Sequence, residues 1–296
     1  MSKEQLQSII QQLTAAPPLE LSALEAARSG FEQMAAMFPV PADVKCEPIT
    51  AGTVKAEWVI APGANTNRAI LYLHGGGYVI GSIDTHRALA ASLSRTAEAR
   101  VLLIDYRLAP EHPHPAAVDD AVASYRWLLK QGLSPQRVAI AGDSAGGGLT
   151  VATLVALRDS GEKLPACGAC LSPWVDLEGI GESMTRLADV DPIVKKDGLL
   201  ELAALYLGGK SARTPLAAPL YADLSGLPPL LIVVGTRETL LDDASRLAER
   251  ARKAGVDVTY EAAQDMIHVW QLFASILDEG RESLESIGEY VRRRTP

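Results

Sequence analysis

The chain has 296 residues, 48% hydrophobic and 22% charged, a size and balance that suit one large globular domain, or one domain carrying an insertion. A net charge of −8 at pH 7 argues against a nucleic-acid or anionic-membrane surface. Three cysteines do not make a disulfide framework, and no stretch approaches the roughly eighteen apolar residues of a membrane-spanning helix.

In chain order, residues 1 to about 42 read as two short helices, broken at Pro17-Pro18 and stopped by Pro39 and Pro41. Leu21, Leu24, Ala27, Phe31 and Met34 give the second helix an apolar stripe. Strand-like runs follow near 44–50, 54–60, 69–74, 100–105, 138–143, 166–171, 230–235 and 256–262. From residue 69 onward, helical patterns separate them, near 84–97, 115–131, 145–160, 242–254 and 271–290. This alternation predicts a mostly parallel eight-stranded sheet covered on both faces. The short turn at Ala51-Gly52-Thr53 makes the first two strands an antiparallel hairpin at one edge.

Almost sixty residues separate the strand ending near Leu171 from the one starting near Leu230. They hold a helix around Asp197–Leu207 and are too many for a simple crossover, so an inserted cap is expected. The expected division is 1–42, N-terminal helices contributing to the cap; 43–174, first part of the core; 175–220, cap insertion; 221–296, second part of the core. Cys167 and Cys170 have redox-motif spacing, but residues three apart in a strand face opposite sides, so both are expected to be packing cysteines. The opening residues Met1-Ser2-Lys3-Glu4-Gln5 lack an apolar leader, which makes a cytoplasmic location the expectation. Arg292-Arg293-Arg294 ends the last helix, where it complements the helix dipole.

The chemistry concentrates at Gly142-Asp143-Ser144-Ala145-Gly146-Gly147, between the strand-like run Val138–Ala141 and the helical run that follows. Strand and helix joined within a few residues need a tight bend, which glycines permit, and the residue at its apex is Ser144. G-x-S-x-G in this setting is the nucleophile elbow of an α/β-hydrolase. A serine hydroxyl needs a base to take its proton. His268, in the loop between the last strand and the last helix, is the only histidine after Ser144, and the order Ser, acid, His selects it. The acid belongs just past the strand Leu230–Val234, where Glu238 overhangs the sheet edge. Asp242 is the alternative, although it also reads as a helix N-cap, and Asp243 and Asp143 are further candidates.

An oxyanion site is expected from His74-Gly75-Gly76-Gly77, which follows the strand Ile70–Leu73. The N–H groups of Gly76, Gly77 and Ala145 would form it, each typically worth about 10²–10³ in rate. A phosphate-binding glycine loop fails on context, because Tyr78-Val79-Ile80 opens no helix and no Lys-Ser/Thr follows.

Taken together, His74-Gly75-Gly76-Gly77-Tyr78, Asp105-Tyr106-Arg107-Leu108-Ala109-Pro110-Glu111-His112-Pro113, Gly142–Gly147, Glu238-Thr239-Leu240 and His268 resemble the bacterial hormone-sensitive-lipase family of esterases. The resemblance runs from about residue 65 to residue 275. It implies a carboxylesterase of short-to-medium acyl esters with no metal or cofactor, a small-molecule ester substrate, and a helical cap. It also implies a homodimer through the edge strand near 256–262, and a structural role for Asp105–Pro113, with ion pairs of Arg107 or Glu111 bracing the oxyanion loop. Two residues depart from the family pattern. Glu238 stands where many members have Asp, and Tyr78 where Trp or Phe is commoner, with Tyr78 expected on the alcohol-side wall. Trp174 is placed equally well in the acyl pocket or the core. A lipase, amidase or deacetylase of the same fold, or a non-catalytic small-molecule receptor, are the competing readings.

Overall fold

The computed structural model describes residues 2–15 and 21–296. One eight-stranded sheet forms the frame: β1 (Lys45–Ala51), β2 (Val54–Ile60), β3 (Asn65–Leu73), β4 (Ala99–Ile104), β5 (Val138–Asp143), β6 (Cys167–Leu171), β7 (Leu230–Gly235) and β8 (Val258–Ala263). Their spatial order is β1-β2-β4-β3-β5-β6-β7-β8. β2 pairs antiparallel with both β1 and β4, and every pairing from β4 to β8 is parallel. The expected edge hairpin is there, with Ala51 opposite Val54 across a turn in which Gly52 has φ +72°.

Side chains alternate between the two faces of the sheet. Ala69, Leu71 and Leu73 of β3 join one apolar cluster and Ile70 and Tyr72 the other. β7 divides in the same way, Leu230, Ile232 and Val234 against Leu231 and Val233. Both faces of the central strands are therefore buried, which is why they read as continuous apolar runs. Cys170 lies on the first face and Cys167 on the second, as their spacing predicts. Burial pushes both thiols up to about 12, which leaves them unreactive at neutral pH.

Helices α4 (Ala116–Lys130), α5 (Ala145–Asp159) and α8 (Leu241–Lys253) cover the first face. The second carries α3 (Ile83–Ala97) and α9 (Asp278–Arg294). Of the N-terminal helices, α1 (Ser2–Ala15) sends Leu6 and Ile9 into the cluster holding Trp270 and Phe273. Leu24, Ala27 and Phe31 of α2 (Leu24–Ala35) pack on the other cluster. Between β6 and β7 run α6 (Ser183–Arg186), α7 (Lys196–Leu207) and a 3₁₀ turn at Pro219–Tyr221. Leu199, Leu202, Ala203, Tyr206 and Leu207 of α7 are buried against the first cluster. Among the described residues, no helix is long and apolar enough to cross a membrane.

The helix expected over 271–290 is instead two pieces, a 3₁₀ turn at Trp270–Phe273 and α9. Buried Leu277 separates them with extended backbone, φ −127° and ψ 118°. Asp278 and Glu279 then occupy the first turn of α9 and Arg292–Arg294 its last, each matching the sign of the helix dipole. β8 also starts two residues later than expected, after Gly255 (φ +82°) and Val256 have closed the end of α8.

Candidate active site

Ser144 occupies the bend between β5 and α5 with φ +53° and ψ −119°. A non-glycine residue held there costs about 1–3 kcal/mol and persists only where its surroundings fix it. Here the Ser144 N–H donates to the Leu171 carbonyl at 2.8 Å, and its own carbonyl accepts from Gly148 N at 3.1 Å and Trp174 N at 2.9 Å. A methyl group on Gly146 would collide with the Leu73 carbonyl, so only glycine lets the helix start this close to β3. The half-buried Ser144 side chain thus stands beside the N-terminus of α5, the positive end of its dipole.

Glu238 lies in the turn that follows β7 and His268 in the loop that follows β8, and their side chains meet. Nδ1 of His268 lies 2.8 Å from Glu238 Oε2. The other carboxylate oxygen, Oε1, accepts from Ser172 Oγ at 2.7 Å and from Gly235 N at 2.5 Å. Both carboxylate oxygens are thus satisfied in a fully buried position. Burial opposes the imidazolium, but the Glu238 hydrogen bond and the charges of Glu238, Asp191 and Asp143 outweigh it, so the His268 pKa stands above its ordinary value. Burial raises Glu238, and its partners His268, Ser172 and Gly235 pull it back only in part. Among the described residues Ser144 Oγ and His268 Nε2 make no hydrogen bond. That link commonly tightens only in the complex.

The other acid candidates point elsewhere. The Asp242 carboxylate accepts from Ser183 N at 2.9 Å, and its N–H donates to Ser183 Oγ at 3.0 Å. Asp243 accepts from Val175 N and Asp176 N at 3.0 and 2.9 Å. Both tie α8 to the segment that follows β6. Asp143, the residue before Ser144, accepts from Tyr72 Oη at 2.8 Å and from Gly75 N at 3.1 Å, and contacts His86 Nε2 at 3.2 Å. Burial opposes its ionisation, but His86 and Tyr72 hold its carboxyl below the usual range. Asp143 therefore clamps the glycine loop to the elbow.

That loop runs through three consecutive positive φ values, Gly76 at +113°, Gly77 at +62° and Tyr78 at +64°. Its turn is closed by the Gly76 carbonyl, which accepts from Val79 N and Ile80 N. The N–H groups of Gly76 and Gly77 donate to no acceptor among the described residues. Ala145 is the first residue of α5, so its N–H has no partner within the helix. His74 stacks on Tyr106 at 4.2 Å, and burial lowers its pKa to about 4, so it is neutral at pH 7.

The surrounding segments brace this loop. Tyr106 Oη donates to the His74 carbonyl at 2.7 Å, and Arg107 forks onto Asp120. Arg28 of α2 pairs with both oxygens of Glu111 at 2.8 Å and also donates to the Val79 and Ala109 carbonyls. Tyr78 lies flat on Tyr206 of α7, with ring centres 3.7 Å apart, and its buried hydroxyl has no partner among the described residues. Trp174 is buried 6.1 Å from Tyr78.

Sequence reasoning missed Ser172 and Asp191. Both sit far along the chain from the groups they hold, and neither belongs to a recognisable motif. Among the described residues no cluster of three or more His, Cys, Asp or Glu could hold a metal ion.

Such an elbow, glycine loop and acid–imidazole pair, hung on the ends of parallel strands, define an α/β hydrolase. The family model described as alpha/beta hydrolase fold matches residues 70–272. The chain belongs to the bacterial hormone-sensitive-lipase family of esterases. It is 52% identical to a crystallised esterase of that family, with a TM-score of 0.97 over 99% of each chain. An acetyl-hydrolase of Streptomyces hygroscopicus is 49% identical over 86% of this chain and 84% of its own length. An esterase of Acinetobacter venetianus is 36% identical over 90% of this chain and 88% of its own length. The protein is a carboxylic ester hydrolase.

Proposed function

We propose that the chain hydrolyses short-to-medium acyl esters through an acyl-enzyme on Ser144. The observation that carries this is the 2.8 Å contact between His268 Nδ1 and the buried Glu238 carboxylate. A carboxylate at Nδ1 fixes the proton there and leaves Nε2 with a free lone pair, the form a general base requires. His268 Nε2 takes the proton as Ser144 Oγ attacks the ester carbonyl, and Glu238 stabilises the imidazolium that forms. The N–H groups of Gly76, Gly77 and Ala145 receive the oxyanion. His268 then protonates the departing alkoxide, leaving the acyl group on Ser144. Water activated by the same imidazole releases the acid.

Closeness of the cap supports the preference for small acyl groups. A methyl group built on Gly77 would stand 2.6 Å from Leu202 Cδ1, so α7 closes directly over the oxyanion strip. The similarity to an acetyl-hydrolase points the same way. Residues 175–220 together with the N-terminal helices form this cap in our reading. β8, one of the two edge strands, is the edge through which two copies would pair.

A serine-directed phosphonate tests the mechanism: the adduct should map to the peptide carrying Ser144. A C2 to C16 series of acyl esters tests the substrate class, with rates highest at short chains. Maximal rates on long-chain emulsions would refute it.

A further inference from the structure

The turn that carries Glu238 is held from the insertion rather than by the core alone. Thr239, the next residue, is fully buried. Its N–H donates to Asp191 Oδ2 at 2.8 Å and its hydroxyl lies 3.2 Å from the same oxygen. Asp191 Oδ1 accepts from Ile193 N and Val194 N, both at 2.9 Å. Two further ties run from this turn to the insertion, Ser183 Oγ to the Thr239 carbonyl and Asp242 to Ser183.

Asp191 itself is fully buried; Lys195 Nζ donates to its main-chain carbonyl at 2.7 Å, but no lysine or arginine among the described residues forms an ion pair with its carboxylate. A buried carboxylate without a cation is costly unless every lone pair is used. Three backbone N–H groups donate to the carboxylate, Ile193 and Val194 to Oδ1 and Thr239 to Oδ2, so both oxygens must accept; the Thr239 hydroxyl lies between Oδ2 and the Val194 carbonyl, at 3.2 and 3.3 Å. An asparagine at this position would direct its NH₂ either at the Ile193 and Val194 N–H groups or at the Thr239 N–H, and lose those bonds. The charge also has somewhere to act, because it lies among the carboxylates that favour the His268 imidazolium.

We propose that Asp191 is a positioning residue for ester hydrolysis, a carboxylate supplied by the insertion that fixes the Glu238 turn and, through it, the His268 ring. This rests on Glu238 being the acid of the reaction. The insertion then does more than cover the cleft: it sets the geometry of the acid.

The test is a cycle of Asp191→Asn, Glu238→Gln and the double variant, read as kcat, KM and the pH dependence of kcat/KM. Three carboxylates favour the His268 imidazolium by their charge: Glu238 after β7, in direct contact, Asp191 from the insertion and Asp143 at the end of β5. Asp191→Asn should lower kcat about 10- to 100-fold, the cost of a small misplacement, with little change in KM. It should also move the acidic limb to lower pH. In the Glu238→Gln background the same change should cost little, because the group it positions is already lost. A folded Asp191→Asn enzyme with unchanged kcat and acidic limb would overturn the proposal, as would a full multiplicative loss in the double variant. Should Asp191→Asn fail to fold, Thr239→Val removes the hydroxyl contacts to Asp191 and to the Val194 carbonyl and should lower kcat in the same sense; wild-type kcat there would overturn the proposal. If Glu238→Gln alone turns over at the wild-type rate, the underlying assignment of the acid fails, and that result is separate from either Asp191 outcome.

Discussion

Ser172 Oγ donates to Glu238 Oε1 at 2.7 Å and accepts the Val269 N–H at 3.2 Å. One hydroxyl therefore joins the Glu238 carboxylate to the residue that follows His268. Both ends of this link are strained, Ser172 at φ +45° and Val269 at φ +46°. A β-branched residue in the left-handed region is a genuine outlier, and it holds only where neighbours enforce it. Fixing Glu238 and Val269 with one group keeps the imidazole and its acid in register.

Ser172→Ala should leave a buried Val269 N–H without a partner and Glu238 Oε1 with only Gly235. The expected cost is about 1–3 kcal/mol of stability, read from urea unfolding, together with a fall in kcat. An alanine variant as stable and as active as the parent would show that the hydroxyl is dispensable.

The pH dependence follows from the state of His268. Hydrolysis needs the neutral imidazole, and the folded pKa stands above the ordinary value of about 6.5 because Glu238, Asp191 and Asp143 favour the cation. Activity should therefore be lost as pH falls through a limb lying above 6.5, and reach its plateau in mild alkali. Glu238→Gln removes the largest favourable partner, so its limb should shift to lower pH as kcat drops. A limb unmoved in that variant would argue against a direct Glu238–His268 coupling.

Gly76→Ala should be severe. The position has φ +113°, and a methyl group there would strike the Ile80 carbonyl. Turning the loop aside removes oxyanion donors, so kcat should fall about 10²–10³-fold while the fold is kept. Circular dichroism and kcat together check this.

Arg28→Met should loosen the oxyanion loop from α2, because four hydrogen bonds from one guanidinium are lost. We expect about 1–3 kcal/mol of stability and part of kcat to go with it. Arg28 also holds Glu111 down at about 2. The folded pKa is depressed, so that contribution is present above the ordinary glutamate range and fades as pH falls towards 2. Glu111 is half-exposed, which keeps this pH-linked part small. Equal acid sensitivity of parent and Arg28→Met would deny the link.

All eight strands were legible because their apolar runs answer to local pattern alone, and Ser144 and the glycine loop because tight bends demand glycine at fixed spacing. Choosing between Glu238 and Asp242 was harder. Asp242 is held by Ser183 from 59 residues away, and Glu238 is the one of the two that contacts His268. Ser172 and Asp191 could not be found from the chain at all, since their partners lie 66 and 48 residues distant. The break at Leu277 was hidden for a related reason: burial against the second cluster, rather than local propensity, straightens the backbone there.

The central claim is that Ser144 is the nucleophile, and the most direct measurement is the turnover of a short-chain aryl ester by folded Ser144→Ala. The account predicts a loss on the order of 10⁶ in kcat, by comparison with other serine triads. Near-normal hydrolysis by that variant would contradict it.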